Sequence, residues 1–149
     1  MPGVKVFIDS STFLYTFDTG ELDKGAIAQG WLKHLSEQKC GITNLQVLNE
    51  IASVSTRKSS TFGEKDPFFR IDAFSSFGTH PIGLETTIAA RAIHLRYRFS
   101  WWDCLLLAAA VDLGCTHFLS EDLNDGQAIQ GLTIVDPFAH SPEQILLSR

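Results

Sequence analysis

Carboxylates stand at the ends or borders of four stretches that the amino-acid sequence marks out. Asp9 closes the β-rich run VKVFID (4–9), Glu50 lies in LQVLNEIASVSTRK (45–58), Asp103 stands in SWWDCLLLAAAVDLG (100–114), and Glu121, Asp122 and Asp125 crowd FLSEDLNDG (118–126). Carboxylates drawn to within a few ångströms of one another repel unless they share a proton or a cation. The five histidines (34, 80, 94, 117, 140) are scattered without metal-ligand spacing, so an ion held here would be bound by oxygen alone. Such a ligand set suits a hard cation, Mg2+ or Mn2+. Simpler readings stand beside this one. Asp9 before Ser10, Ser11 and Thr12 suits an Asx turn. Glu50 falls at the border of the stripe formed by Val47, Leu48, Ile51, Ala52 and Val54, where a solvated acid is ordinary. Ser100 and Asp103 have the S-x-x-D spacing of a capping box. A calcium loop is excluded, because counting from Asp122 the fifth position is Gly126 and the twelfth is Thr133.

The elements that must bring these acids together follow from local pattern. Strands are expected at 4–9, 40–43, 115–120 and 132–136. Helices are expected at 22–38, with Ile27, Trp31 and Leu35 facing inward, and at 45–58 behind a capping Asn44. Asp66 and Pro67 predict a helix that starts there and runs through Phe77. Two more are expected at 84–99 and 100–114, the last apolar on every side after Asp103 and closed by Gly114. Short strands separated by helices make an α/β domain with a parallel sheet covered on both faces. Ligands collect at the carboxyl ends of such strands, the edge where Asp9 and the group at Glu121 would meet. Asp136 before Pro137 reads as a turn.

At 149 residues, 44% hydrophobic and 19% charged, the chain fits a single domain over 1–149. The net charge of −5 argues against tight sequence-independent binding along long nucleic acid but leaves room for a few local phosphate contacts. Arg91, Arg96 and Arg98, just before Asp103, are the densest basic group. They read either as substrate-binding residues that take phosphates or as a solvated helix face, and Arg57 and Lys58 read the same two ways. Phe62, Phe68, Phe69, Phe74 and Phe77 are expected in the core or an oligomer contact more than under stacked bases. Three cysteines without CxxC spacing and no apolar run of bilayer length predict a soluble, cytoplasmic protein with no membrane segment.

VFIDSSTFLY, QVLNEI, SWWDCLLLAAA and FLSEDLNDGQAIQGLTIVDPF, in that order, resemble the PIN-domain proteins, and more narrowly the VapC-type ribonuclease toxins of toxin–antitoxin pairs. The resemblance covers nearly all of the chain. It implies a three-layer α/β/α fold with a central, mostly parallel sheet of four to five short strands. It also implies a catalytic and metal-binding quartet of Asp9, Glu50, Asp103 and Asp122, with Asp125 as a further contact to a second ion. Where the family often has Asp-Thr-Asn, this chain has Asp9-Ser10-Ser11, which keeps a hydroxyl at Ser10 for the site and loses an amide at Ser11. The implied activity is Mg2+- or Mn2+-dependent hydrolysis of RNA phosphodiester bonds. The implied partners are a small antitoxin protein and a second copy of the chain. Glu121 is expected to face solvent in its turn. A PIN-like module that binds RNA or protein without cutting is the alternative. Phosphatases of the haloacid dehalogenase type and phosphoacceptor receiver domains need a late lysine, and the last lysine here is Lys65.

Overall fold

The computed structural model describes residues 3–57 and 66–146. Lys58 and Phe62, singled out above, lie outside them. Val6, Phe7 and Ile8 are each fully buried, so the first strand has no polar face and is stable only inside a sheet covered on both sides. The strands are Val6–Phe7 (β1), Gly41–Ile42 (β2), His117–Leu119 (β3), Ala128–Ile129 (β4) and Leu132–Val135 (β5). They form one sheet in the order β2-β1-β3-β5-β4. All neighbours are parallel except β4, which pairs antiparallel with β5 at the edge. Gln130 (φ 50°) and Gly131 (φ 88°) make the two-residue turn of that hairpin, the left-handed pair whose twist matches its strands.

The helices among the described residues are Ser10–Tyr15 (α1), Leu22–Glu37 (α2), Leu45–Arg57 (α3), Phe69–Phe74 (α4), Leu84–Tyr97 (α5), Trp101–Asp112 (α6) and Pro142–Leu146 (α7). With the sheet they make the expected three-layer α/β/α arrangement. α6 is buried at every position from Cys104 to Ala110, as its uninterrupted apolar run requires. No helix among the described residues is long and apolar enough to cross a membrane.

Three expectations need correction. In α2 the inward residues are Gly25, Ala28, Trp31 and Leu35, while Ile27 is 41% exposed. A Cβ on Gly25 would lie 2.8 Å from the Tyr15 carbonyl oxygen, so the stripe is set by close contact with α1 and swings past Ile27. α4 begins at Phe69, not Pro67, because Asp66 Oδ1 accepts the Phe68 N–H (2.9 Å) and holds a turn there; after Phe74 the chain tightens to a 3-10 turn at Ser75–Phe77. α5 stops at Tyr97, since Arg98 adopts the left-handed conformation (φ 62°). α3 is described only to Arg57, whose Nε donates to the Ser53 carbonyl (3.2 Å). The phenylalanines divide: Phe74 and Phe77 pack on Phe13 with ring centroids 4.5 and 5.7 Å away, whereas Phe68 and Phe69 are 50% and 65% exposed.

Candidate active site

Strand register builds the site. Phe7 lies level with Ile42 on one side and Phe118 on the other, so two residues further on Asp9, Asn44 and Ser120 leave the sheet at the same level. Thr43, fully buried, donates its hydroxyl to the Ile8 carbonyl (2.9 Å) and pins that edge. Asn44 Oδ1 accepts the Val47 N–H (3.0 Å) and starts α3, as its position predicts.

Asp9 is the N-cap of α1. Its carboxylate accepts from Ser11 Oγ (2.5 Å), Thr12 Oγ1 (2.5 Å) and the Thr12 N–H (3.3 Å). Burial nevertheless pushes its pKa up to about 6, and those hydrogen bonds only partly oppose the rise. Ser10, expected to hydrogen-bond into the site, donates to Glu50 Oε2 (3.0 Å). Burial raises the Glu50 carboxyl too; Ser10 and Gln46 oppose this, and the Asp103 charge adds to it. Asp103 sits in the first turn of α6, where Ser100 Oγ accepts its N–H (3.2 Å) and donates to its Oδ2 (2.9 Å). The capping-box reading holds, and the capped carboxylate lies near enough to Glu50 for its charge to be felt there.

The loop after β3 carries the other candidates. Ser120, buried, accepts the N–H groups of Asp122 (3.2 Å) and Leu123 (3.1 Å), while the Asp122 carboxylate is exposed and takes no hydrogen bond among the described residues. Asp125 has both oxygens engaged, one by the Asp136 N–H (2.9 Å) and one by His140 Nε2 (2.6 Å). These contacts, the Asp136 N–H first, hold its carboxyl below the ordinary range. Asp136 Oδ1 in turn accepts the Phe138 N–H (2.9 Å), the turn expected before Pro137.

Glu121 corrects the expectation that it faces solvent. It accepts from the Tyr15 hydroxyl (2.6 Å) and from Lys24 Nζ (2.8 Å). Burial is the largest single influence and pushes its carboxyl up, but Lys24 and Tyr15 together hold it below the usual range. No local spacing could have announced these partners, which lie 106 and 97 positions away in the chain.

Ser10 thus ties Glu50 to the residue after Asp9, Glu50 feels the Asp103 charge, and Asp122 follows β3, the strand beside β1. Among the described residues no three His, Cys, Asp or Glu side chains stand close enough as they are to hold a metal ion. The donor chemistry nevertheless fits a hard divalent cation. Burial raises both Asp9 and Glu50, and no Lys, Arg or His charge is among the influences on either. Arg91, Arg96 and Arg98 are exposed along and just past the end of α5, with the Arg96 guanidinium 5.3 Å from the Tyr97 ring centre.

Comparison with solved structures finds the same fold in a toxin–antitoxin complex from Klebsiella pneumoniae (TM-score 0.66, 15% identity, 89% of this chain and 98% of that one). VapBC2 from Rickettsia felis, bound to a DNA fragment from its promoter, gives TM-score 0.63 at 13% identity over 88% and 97% of the two chains. Mycobacterium tuberculosis VapC20, described as a sarcin–ricin loop cleaving toxin, gives 0.56 at 17% identity over 76% and 87%. No curated protein matches the sequence. The family model of the PIN domain matches residues 6–124, from the opening of β1 to the loop beyond β3, and so spans Asp9, Glu50, Asp103 and Asp122. The chain belongs to the PIN domain family.

Proposed function

We propose that the chain is a Mg2+- or Mn2+-dependent ribonuclease of the VapC type, the toxin of a toxin–antitoxin pair restrained by a small antitoxin. The observation that carries this reading is the pair Asp9 and Glu50. Both are desolvated at the carboxyl edge of the sheet, and neither has a protein cation to offset its charge. A module that only bound RNA or protein would gain nothing from holding such acids beside Asp103.

Bound Mg2+ or Mn2+ supplies an activated water and a counter-charge for the scissile phosphate. Asp9, Glu50, Asp103 and Asp122 would hold the ion through oxygens. Ser11 and Thr12 orient Asp9, Ser10 orients Glu50, and Ser100 orients Asp103, which limits the rearrangement needed on binding. Asp125 stands outside this set because His140 and Asp136 occupy it. Arg91, Arg96 and Arg98 would take RNA phosphates beside the cut, since guanidinium groups bind phosphate in a bidentate way.

The descriptions of the three structural neighbours, all toxins or toxin–antitoxin complexes, support a protein antitoxin, and the sarcin–ricin loop activity of one supports RNA as the substrate. An exposed apolar row along α5, Leu84, Ile88 and Leu95, supports a homodimer. Three free cysteines suit the cytoplasm.

Purified protein incubated with RNA should cut in Mg2+ or Mn2+, and EDTA should stop it. Asp9→Asn and Asp103→Asn should be inactive. Equal cleavage by wild type and both variants would identify a contaminating nuclease and sink the assignment, and RNA bound without cleavage by every form would favour the non-cutting module.

A further inference from the structure

The Tyr15, Glu121 and Lys24 cluster is more elaborate than a surface turn needs. Exposed ion pairs contribute little to stability. Here the Glu121 carboxylate takes both a hydroxyl and an ammonium. The Lys24 ammonium also lies 5.1 Å from the Tyr15 ring centre and 5.0 Å from that of Phe138, whose rings meet edge to face at 5.1 Å. Two segments meet at the residue before Asp122, α1, which Asp9 caps, and α2, and the loop after β5 packs on both through Phe138. Gly25, next to Lys24, lets α2 approach the Tyr15 backbone closely enough for the cluster to close.

On its other side the same loop is held by Ser120, whose hydroxyl accepts the N–H groups of Asp122 and Leu123. The backbone on either side of Asp122 is therefore fixed through Glu121 and Ser120, while the Asp122 carboxylate itself has no partner among the described residues. That is the arrangement a ligand needs: an anchored main chain and an unspent side chain.

We infer that Tyr15, Glu121 and Lys24 form a clamp that positions Asp122 against the helix capped by Asp9. The inference rests on the metal-dependent reading for its purpose, but the clamp is testable without it. Glu121 is then a positioning residue, not a ligand, and the three carboxylates of FLSEDLNDG have three separate tasks: Glu121 holds the loop, Asp122 faces the site, and Asp125 ties the loop to the C-terminal segment.

The test uses Glu121→Gln and Tyr15→Phe in the full chain, each also combined with Asp122→Asn. Hydrogen exchange on the metal-free protein should show the Asp122 and Leu123 amides exchanging roughly tenfold faster in both variants, with the amides of β1 and α6 unchanged and at most a small drop in melting temperature. Mn2+ titrated by calorimetry should half-saturate at about tenfold higher concentration, the scale of a lost supporting contact. In the Asp122→Asn background neither change should weaken Mn2+ binding further. Unchanged exchange at Asp122 and Leu123 in both variants would overturn the clamp. So would a loss of Mn2+ affinity that adds fully to that of Asp122→Asn. A wild type that takes up no Mn2+ would defeat the metal-dependent reading, and the exchange rates would still decide the clamp.

Discussion

Asp9 and Asp122 follow adjacent parallel strands, yet their surroundings are opposite. Asp9 is half-buried, held by Ser11 and Thr12, and raised toward neutrality by desolvation. Asp122 is exposed, without a side-chain partner, on a loop anchored through its neighbours. The half-buried wall, Asp9 with Glu50, is where negative charge is least tolerable without a cation, so ion affinity should originate there. The loop wall keeps its hydration and can complete a ligand shell without first being desolvated. On the proposed metal-dependent reading, the contrast divides the acidic edge into a part that demands an ion and a part that receives it.

The largest effect should come from the half-buried wall. Contacts that merely support metal ligands are worth roughly 10–100-fold, so Asp9→Asn should lower the rate of RNA cleavage by more than about 100-fold, and Asp103→Asn comparably. Stability should move the other way. An amide at position 9 can still accept from Thr12 and carries no buried charge, so the metal-free variant should melt no lower than wild type at pH 7. A variant that both keeps its activity and melts lower would erase the distinction between the walls.

How far this division could be read in the sequence depends on the range of the forces involved. The Ser100 and Asp103 cap, the Asn44 cap and the wholly buried run after Asp103 are local signals, and they sit where spacing puts them. The parallel sheet followed from short apolar runs between helices. β4 has two residues and α7 has five, too few to show a period. Ile27 went outward because the close approach of Gly25 to Tyr15, a tertiary contact, overrode the helical stripe. From the sequence Glu121 reads as a solvated turn because its partners lie about a hundred positions away, a distance at which no pattern of residue types carries information.

A second test of the contrast uses pH. In the unfolded chain Asp9 titrates near its ordinary 3.8, and in the fold at about 6, so the native state holds the proton more tightly. Its contribution to stability is therefore fully present below about pH 4 and lost as pH rises through 6. At 1.36 kcal/mol per unit this amounts to about 3 kcal/mol for the metal-free protein. Glu121 and Asp125, held below the ordinary range, run the other way and lose their contributions as pH falls. The quantity to measure is thus the difference in unfolding free energy between wild type and Asp9→Asn, in EDTA, from pH 4 to 7. Wild type should fall behind the variant across that window, and Mn2+ at pH 7 should restore it. A flat difference would mean that Asp9 is not desolvated and that the two walls are alike.

The smallest effect separates two acids of the loop wall itself. Asp122→Asn should slow cleavage at least tenfold with little change in melting temperature, because its carboxylate holds nothing in the protein. Asp125→Asn should change cleavage less than about threefold and lower stability by no more than about 1 kcal/mol, the range of exposed pairs such as the one it makes with His140. His140→Ala should reproduce that loss, and combining it with Asp125→Asn should add less than the sum, since both break the same contact. Equal losses of cleavage in the Asp122 and Asp125 variants would put both carboxylates in the site. The loop would then be one acidic wall, and the anchoring of Asp125 to His140 would have to open whenever an ion binds.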